Sequence, residues 1–201
     1  TTRFPSGLRY DAERHAIVCE HCEATYDPGP EGMRRALECH PNGSTNPDDV
    51  PITELTLKLS ANERHDTGYT DAQLMFLQAV YNAQQGRYRA PEFDLVFDSM
   101  LRLQEYVGIE SEAVDELLDA GVLSHGGDHP HRLYTVTSEG RALLNEGHRR
   151  GIAFGHGTGD LGESSQHTLG VEAGRRYLET HYLDDADSPV VEVVPYYEPN
   201  H

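Results

Sequence analysis

Hydrophobic positions along the chain change their period several times, and each change predicts an element. Ala16 to Val18 and Ala24 to Tyr26 are short apolar-rich runs around a tight turn, which predicts a hairpin, and residues 31–38 follow with helical character. In residues 50–60, VPITELTLKLS, the leucines at 55, 57 and 59 alternate with polar neighbours, which predicts a half-buried strand. A short polar stretch then runs to Gly68.

From Thr70 the spacing becomes helical, with Thr70 as N-cap, Leu74, Leu77 and Tyr81 on one face and Gly86 as the stop. After Pro91 a second helix is expected, where Phe93, Phe97, Met100, Leu101 and Val107 recur at threes and fours before Gly108. Ser111 is the expected cap of a third helix, which turns Val114, Leu117 and Leu118 inward and ends at Gly121 in the C′ position. Val122 and Leu123, the turn GGDHP and the run Arg132 to Val136 predict a second hairpin, and Thr137 caps a fourth helix. A glycine-rich stretch at 155–162 precedes a helix over about residues 163–182, and VVEVVPYY reads as a β-branched strand. No internal repeat is present.

These elements predict an α+β chain in four parts. Residues 1–45 form a small cysteine-bearing module, 46–69 a linker with one strand, 70–150 a helical domain with a hairpin, and 151–201 a helix-and-strand extension. The polar run PNGSTNPDD marks the first boundary.

The segment LLDAGVL, a polar hairpin and LYTVTSEGRALL together resemble the winged helix-turn-helix regulators of archaea and bacteria, over about 80 residues. That resemblance implies DNA binding, with the third helix in the major groove and the hairpin, or wing, along the backbone. The sequence departs from the pattern in its would-be recognition helix, SEAVDELLDA. It carries Glu112, Asp115, Glu116 and Asp119 and no cation. Carboxylates repel phosphates and find a base-edge donor only on cytosine. The expected DNA contacts therefore fall on arginines elsewhere: Arg87, Arg89, Arg102, Arg132, Arg149 and Arg150.

Charge narrows the setting. Thirty-four acidic residues face 16 basic ones, for a net charge of −18, and Lys58 is the sole lysine. An acidic, lysine-poor surface resembles proteins of salt-in halophiles, whose self-repulsion is screened when the Debye length falls to about 3 Å at 1 M salt. Any DNA binding must then rest on a few local arginines instead of a broad basic face. With no basic-then-apolar leader and no apolar run of about 20 residues, a soluble cytoplasmic protein is expected.

The strongest ligand signal is IVCEHCEATY followed by RRALECHPN. It supplies Cys19, Cys22, Cys39 and His40, with His15 or His21 as possible replacements for one of the adjacent pair. A C-x2-C turn presents two thiolates to one ion, and two later soft ligands close a tetrahedron. The block resembles a degenerate zinc finger, which implies a structural Zn2+ and no catalytic water position.

The other candidates are weaker. His125, His129 and His131 with Asp128 read as solvated turn residues before they read as a metal cluster. GHGTGDLG lacks the Gly-Lys-Ser/Thr ending of a phosphate loop. The stretch from Gly159 weakly resembles the opening of PD-(D/E)XK nuclease-type domains, which would give Glu163 a supporting role at a metal site, with Lys58 the only lysine to serve there. A helix-initiating glutamate at a favourable dipole end is the simpler reading. The expectation is a non-enzymatic, zinc-containing, DNA-binding protein of a halophilic archaeon or its mobile element, with no small-molecule substrate. The alternatives are a protein-interaction or assembly component, viral or homodimeric among the options, and the N-terminal part of a metal-dependent nuclease.

Overall fold

In a computed structural model, residues 4–40, 50, 52–53, 55–84, 101–127, 132–146, 165–183, 188–190 and 192–193 are described. The architecture is α+β, with two small antiparallel sheets among helices. The first sheet has strands β1 (Leu8–Asp11), β2 (Ala16–Cys19) and β3 (Thr25–Tyr26) in that order. The β2–β3 hairpin is the expected one, and β1 adds a strand to it, its residues LRYD alternating apolar and polar over only four positions. Ile17 lies opposite both Tyr10 and Tyr26 and is fully buried.

Helix α1 (Pro30–Cys39) crosses this sheet and buries Met33 and Ala36. Pro30 opens it, where the missing N–H costs nothing, after Gly29 at a positive φ of 111°, a backbone that favours glycine.

No described residue of 50–60 is in a strand, which corrects the expectation there. Thr53 explains part of this. Its N–H and its Oγ1 both donate to the Val50 carbonyl, at 3.1 and 2.8 Å, and the Leu55 N–H donates to Ile52. Those local turns consume the groups a ladder would need. The segment instead inserts Val50, Ile52, Leu55 and Leu59 singly into the core. Ser60 and Glu63 then form a reciprocal capping box that starts α2 (Ala61–Asp66), in the short polar stretch for which the sequence pattern predicts no element.

Helix α3 (Asp71–Gln84) begins as expected, the Gln73 N–H donating to Thr70 Oγ1 at 3.2 Å. It is buried on nearly every side, so its glutamines need internal partners. Gln73 donates to the Ala113 carbonyl and to Glu116, and Gln84 Oε1 accepts the Val136 N–H. Of the helix expected after Pro91, the described part is α4 (Leu101–Val107); residues 85–100, with the Gly86 stop, lie outside the described residues.

Helix α5 runs Ser111–Asp119, but Ser111 is its first helical residue and not its cap. Glu110 is the N-cap, without a side-chain bond. At the other end Gly121 (φ +71°) sends its N–H to Leu118, and Val122 sends its own to Leu117, a Schellman closure. Strands β4 (Leu123–Gly127) and β5 (Leu133–Val136) form the expected hairpin, with an irregularity between His125 and Gly127. Thr137 caps α6 (Ser138–Leu143) by accepting the Gly140 N–H at 3.2 Å.

One apolar cluster runs from Phe4 to Leu144. The first sheet and α1 join the later helices at α4. The Phe4 and Tyr106 rings stack at 4.5 Å, and the Gly29 N–H donates to the Tyr106 carbonyl at 2.9 Å. Gly108 lies at φ +72°, and a Cβ there would stand 2.3 Å from Pro28 Cβ, so both the turn and the approach require glycine.

Helix α7 (Ser165–Leu178) continues into a π-helical turn, Glu179–Leu183, and touches α3 and β5. Of VVEVVPYY, Val190, Glu192 and Val193 are described and none is in a strand. The Val190 N–H is taken by Ser188 Oγ at 3.1 Å, a local bond that competes with pairing. Among the described residues no helix is long and apolar enough to cross a membrane.

Candidate metal centre

Two elements deliver the cysteine cluster. The end of β2 carries Cys19 and the turn after it Cys22, while Cys39 ends α1 and His40 follows it. At the turn the Glu23 N–H donates to the Cys19 carbonyl and the Cys19 N–H to Ala24, both at 2.9 Å. This curls the backbone around the first sulfur. Glu23 takes a left-handed conformation, φ 58°, and its carboxylate meets Arg9 at 3.1 Å, with Arg9 also paired to Asp11.

Neighbouring side chains on a helix diverge, so adjacent ligands at 39 and 40 need a break. Cys39 is the last helical residue, and His40 leaves the helix extended, at φ −138° and ψ 94°. That single step lets both side chains face the knuckle.

The four donor atoms, three sulfurs and His40 Nδ1, lie within 4.8 Å of one another. Cys22 and Cys39 sulfurs are 3.6 Å apart, and His40 Nδ1 is 3.5 Å from the Cys19 sulfur and 3.4 Å from that of Cys39. A tetrahedral ion with metal–sulfur bonds of about 2.3 Å and a metal–nitrogen bond of about 2.0 Å implies edges of about 3.8 Å and about 3.5 Å. The cluster is thus sized for one ion and is compatible with a metal site. Among the described residues it is the one group of three or more such ligands close enough to hold an ion.

Proton affinities follow the surroundings. Burial is the largest influence on Cys19 and opposes its ionisation. Yet the amides of Cys22 and His21, with the Cys22 and His40 side chains, bring the thiol down to about 6. For Cys22 the Ala24 amide is the largest influence and lowers it, but the Cys39 and Cys19 sulfurs and burial outweigh it and push the thiol up. Tyr26 is raised to about 12, first through its interaction with Cys39 and then by burial. One thiol poised to ionise, held by backbone amides, suits metal binding.

Both members of the adjacent pair join the cluster, and neither alternative histidine does. His15 sits in the β1–β2 turn at φ 49°, its Nδ1 3.0 Å from the Tyr10 hydroxyl. His21 lays its ring beside that of His40, centroids 5.4 Å apart. Arg9 and Tyr26 support the site without any signal in the sequence, because a pairing 14 residues apart, or a tyrosine reaching a cysteine 13 residues on, shows only once the strands and α1 have met.

The expected DNA-contacting arginines are only partly described. Arg132 is exposed beside the start of β5, and Arg102 lies on α4 with its side chain outside the description. Arg87, Arg89, Arg149 and Arg150 lie outside the described residues, as do Glu163, Asp128, His129 and His131. His125 is exposed with its ring 5.5 Å from that of Tyr134. On α5, Glu112, Asp115, Glu116 and Asp119 all face outward, while Val114 and Leu117 are buried. Lys58 is engaged by the buried carboxylate of Glu146 at 2.5 Å. Compared with protein-family models, with curated proteins and with solved structures, the chain matches none of them.

Proposed function

We propose that this chain is a zinc-containing, DNA-associated winged-helix protein of a halophilic archaeon or its mobile element, without catalytic activity of its own. The observation that carries the reading is the order α3, α4, α5, β4, β5, α6, in which the Schellman turn at Gly121 leads directly from α5 into the hairpin. This is the order in which a winged helix places a recognition helix before its wing. Zinc is favoured as the ion because three thiolates and one imidazole in a tetrahedron suit it. The role is structural, because all four positions are filled by protein.

The outward face of α5 makes the wing the leading contact. Four carboxylates on that face disfavour a phosphate-lined groove, whereas Arg132 stands exposed on the hairpin. A mobility shift at molar KCl with zinc present tests the reading. Retardation of DNA is expected, weakened more by Arg132→Ala than by Glu112→Ala or Asp115→Ala. No shift of any DNA under those conditions sinks it.

The same acidic face favours a second reading, a protein-interaction or assembly component. There the outward carboxylates would meet a basic protein surface. Stable co-purification with a defined protein partner, unchanged by nuclease treatment, would favour it over the first.

A further inference from the structure

We propose that Cys22 is a site of oxidative modification by peroxides, with Cys39 as its resolving partner, so that closing this one disulfide expels the metal ion. The inference rests on the reading of the cluster as a metal centre and deepens it. Its ground is the unequal exposure of three sulfurs that are otherwise close together. Cys19 is only 1% exposed, walled in by β2 and its turn, Cys39 is half-buried and Cys22 is exposed. With an ion bound, all three cysteines would be held as thiolates, so ionisation would not rank them and exposure would; a small oxidant arriving from solvent meets Cys22 first.

The partner follows from position. The Cys22 and Cys39 sulfurs are 3.6 Å apart, and a disulfide needs about 2.0 Å, so a closure of about 1.5 Å joins them. Cys39 is the last residue of its helix and its successor is already extended, so no helical turn follows it. Cys19 is fixed from both sides, its N–H on Ala24 and its carbonyl accepting from Glu23.

The chemistry balances with hydrogen peroxide as the oxidant. The Cys22 thiolate attacks one peroxide oxygen, the O–O bond breaks, and hydroxide leaves to become water on taking a proton. Cys22 is then a sulfenic acid. The Cys39 thiolate attacks that sulfur, the S–S bond forms, and the second oxygen departs as water with another proton from solvent. Two electrons pass from the sulfurs to the peroxide. The ion keeps its charge but retains only Cys19 and His40 and is released.

The test uses the full chain loaded with zinc, whose metal content is measured before any oxidant is added. Zinc absent at that point overturns the metal reading itself and leaves the oxidation claim with no ion to expel. With zinc present, hydrogen peroxide is added in steps while a colorimetric chelator follows release, and the thiols are then alkylated and digested with trypsin. Cys19 and Cys22 fall in the peptide 15–34 and Cys39 in 36–58, so the two possible disulfides differ as a loop within one peptide and a link between two. The expected result is one zinc released per 15–34/36–58 link, with Cys19 alkylated. A dominant Cys19–Cys22 loop overturns the proposal, as does zinc retention at a peroxide level that fully oxidises glutathione. With dimedone present during a substoichiometric peroxide step on the zinc-loaded chain, a trapped sulfenic acid is expected at Cys22; dimedone found chiefly on Cys19 overturns the assignment of the first attack.

Discussion

The first 40 residues and the helices from Asp71 to Leu143 hold together by different means. The later region is organised around α3, whose Leu74, Phe76, Leu77 and Val80 are fully buried against α4, α5 and the β4–β5 hairpin. The first region has three strands of two to four residues, one ten-residue helix and few large buried side chains of its own. Segments this small seldom stabilise themselves by burial alone and commonly add a metal or disulfides. In the proposed reading, ligand chemistry stands in one region where apolar volume stands in the other, and the two meet at Tyr106, Gly29 and Gly108.

Removing the ion is the strongest way to break that contrast. Structural zinc contributes about 10–16 kcal/mol of apparent binding free energy in finger-sized peptides, most of which is folding free energy. Chelation, or Cys19→Ser, should abolish hydrogen-exchange protection in β1, β2, β3 and α1 while α3, α5 and the hairpin stay protected. Equal loss in both regions would mean that they fold as one unit and that the contrast is false.

A core truncation should act the other way round. Leu77 is 0% exposed, and Leu77→Ala should cost about 2–5 kcal/mol in denaturant unfolding of the later region. One zinc per folded chain should remain. Loss of the zinc in the folded variant would place the support of the metal site in the later core.

The junction separates strain from collision. Gly121 and Gly108 have nearly the same left-handed backbone, φ +71° and +72°, but a Cβ at Gly121 meets nothing within 4 Å whereas one at Gly108 meets Pro28. Gly121→Ala should therefore cost only the conformational penalty, about 1–2 kcal/mol. Gly108→Ala should cost more and should also weaken protection of the Gly29 amide, which is bonded across the junction. Equal costs measured by denaturation would show that Pro28 moves aside freely.

Much of this organisation was legible in the sequence. Cys19, Cys22, Cys39 and His40 were readable as one set because thiolates and imidazole have few other uses at that spacing. The stops and caps at Thr70, Gly121 and Thr137 were readable because each acts through its nearest neighbours. The misreadings share a cause. Alternation in residues 50–60 describes which side chains tolerate burial and does not supply a partner strand, and Thr53 spends the backbone on turns. VVEVVPYY has strand-forming residues, but pairing is decided by whatever lies alongside. Ser111 was displaced from its expected cap by one residue, because the left-handed turn at Gly108 leaves Glu110 as the last extended position. The supports of the cluster at Arg9 and Tyr26 depend on contacts between distant segments, which no local pattern encodes.

The smallest effect tests whether the segment between the two regions is held by local chemistry at all. Glu63 accepts the Ser60 N–H at 2.7 Å, and the Ser60 hydroxyl and amide hold its carboxyl below the usual range. A carboxyl lowered in the folded state binds a proton less readily there than in the unfolded chain. Its contribution is therefore complete above the ordinary glutamate pKa and is lost as pH falls through the lowered folded value. Glu63→Gln keeps an acceptor for the capping box but cannot titrate. Unfolding followed at two or three pH values across the acid limb should show wild type losing slightly more stability than Glu63→Gln, and Ser60→Ala should cost about 1 kcal/mol at neutral pH. Parallel pH profiles for wild type and Glu63→Gln would mean that burial of Leu55 and Leu59, and not the capping box, holds α2 between the regions.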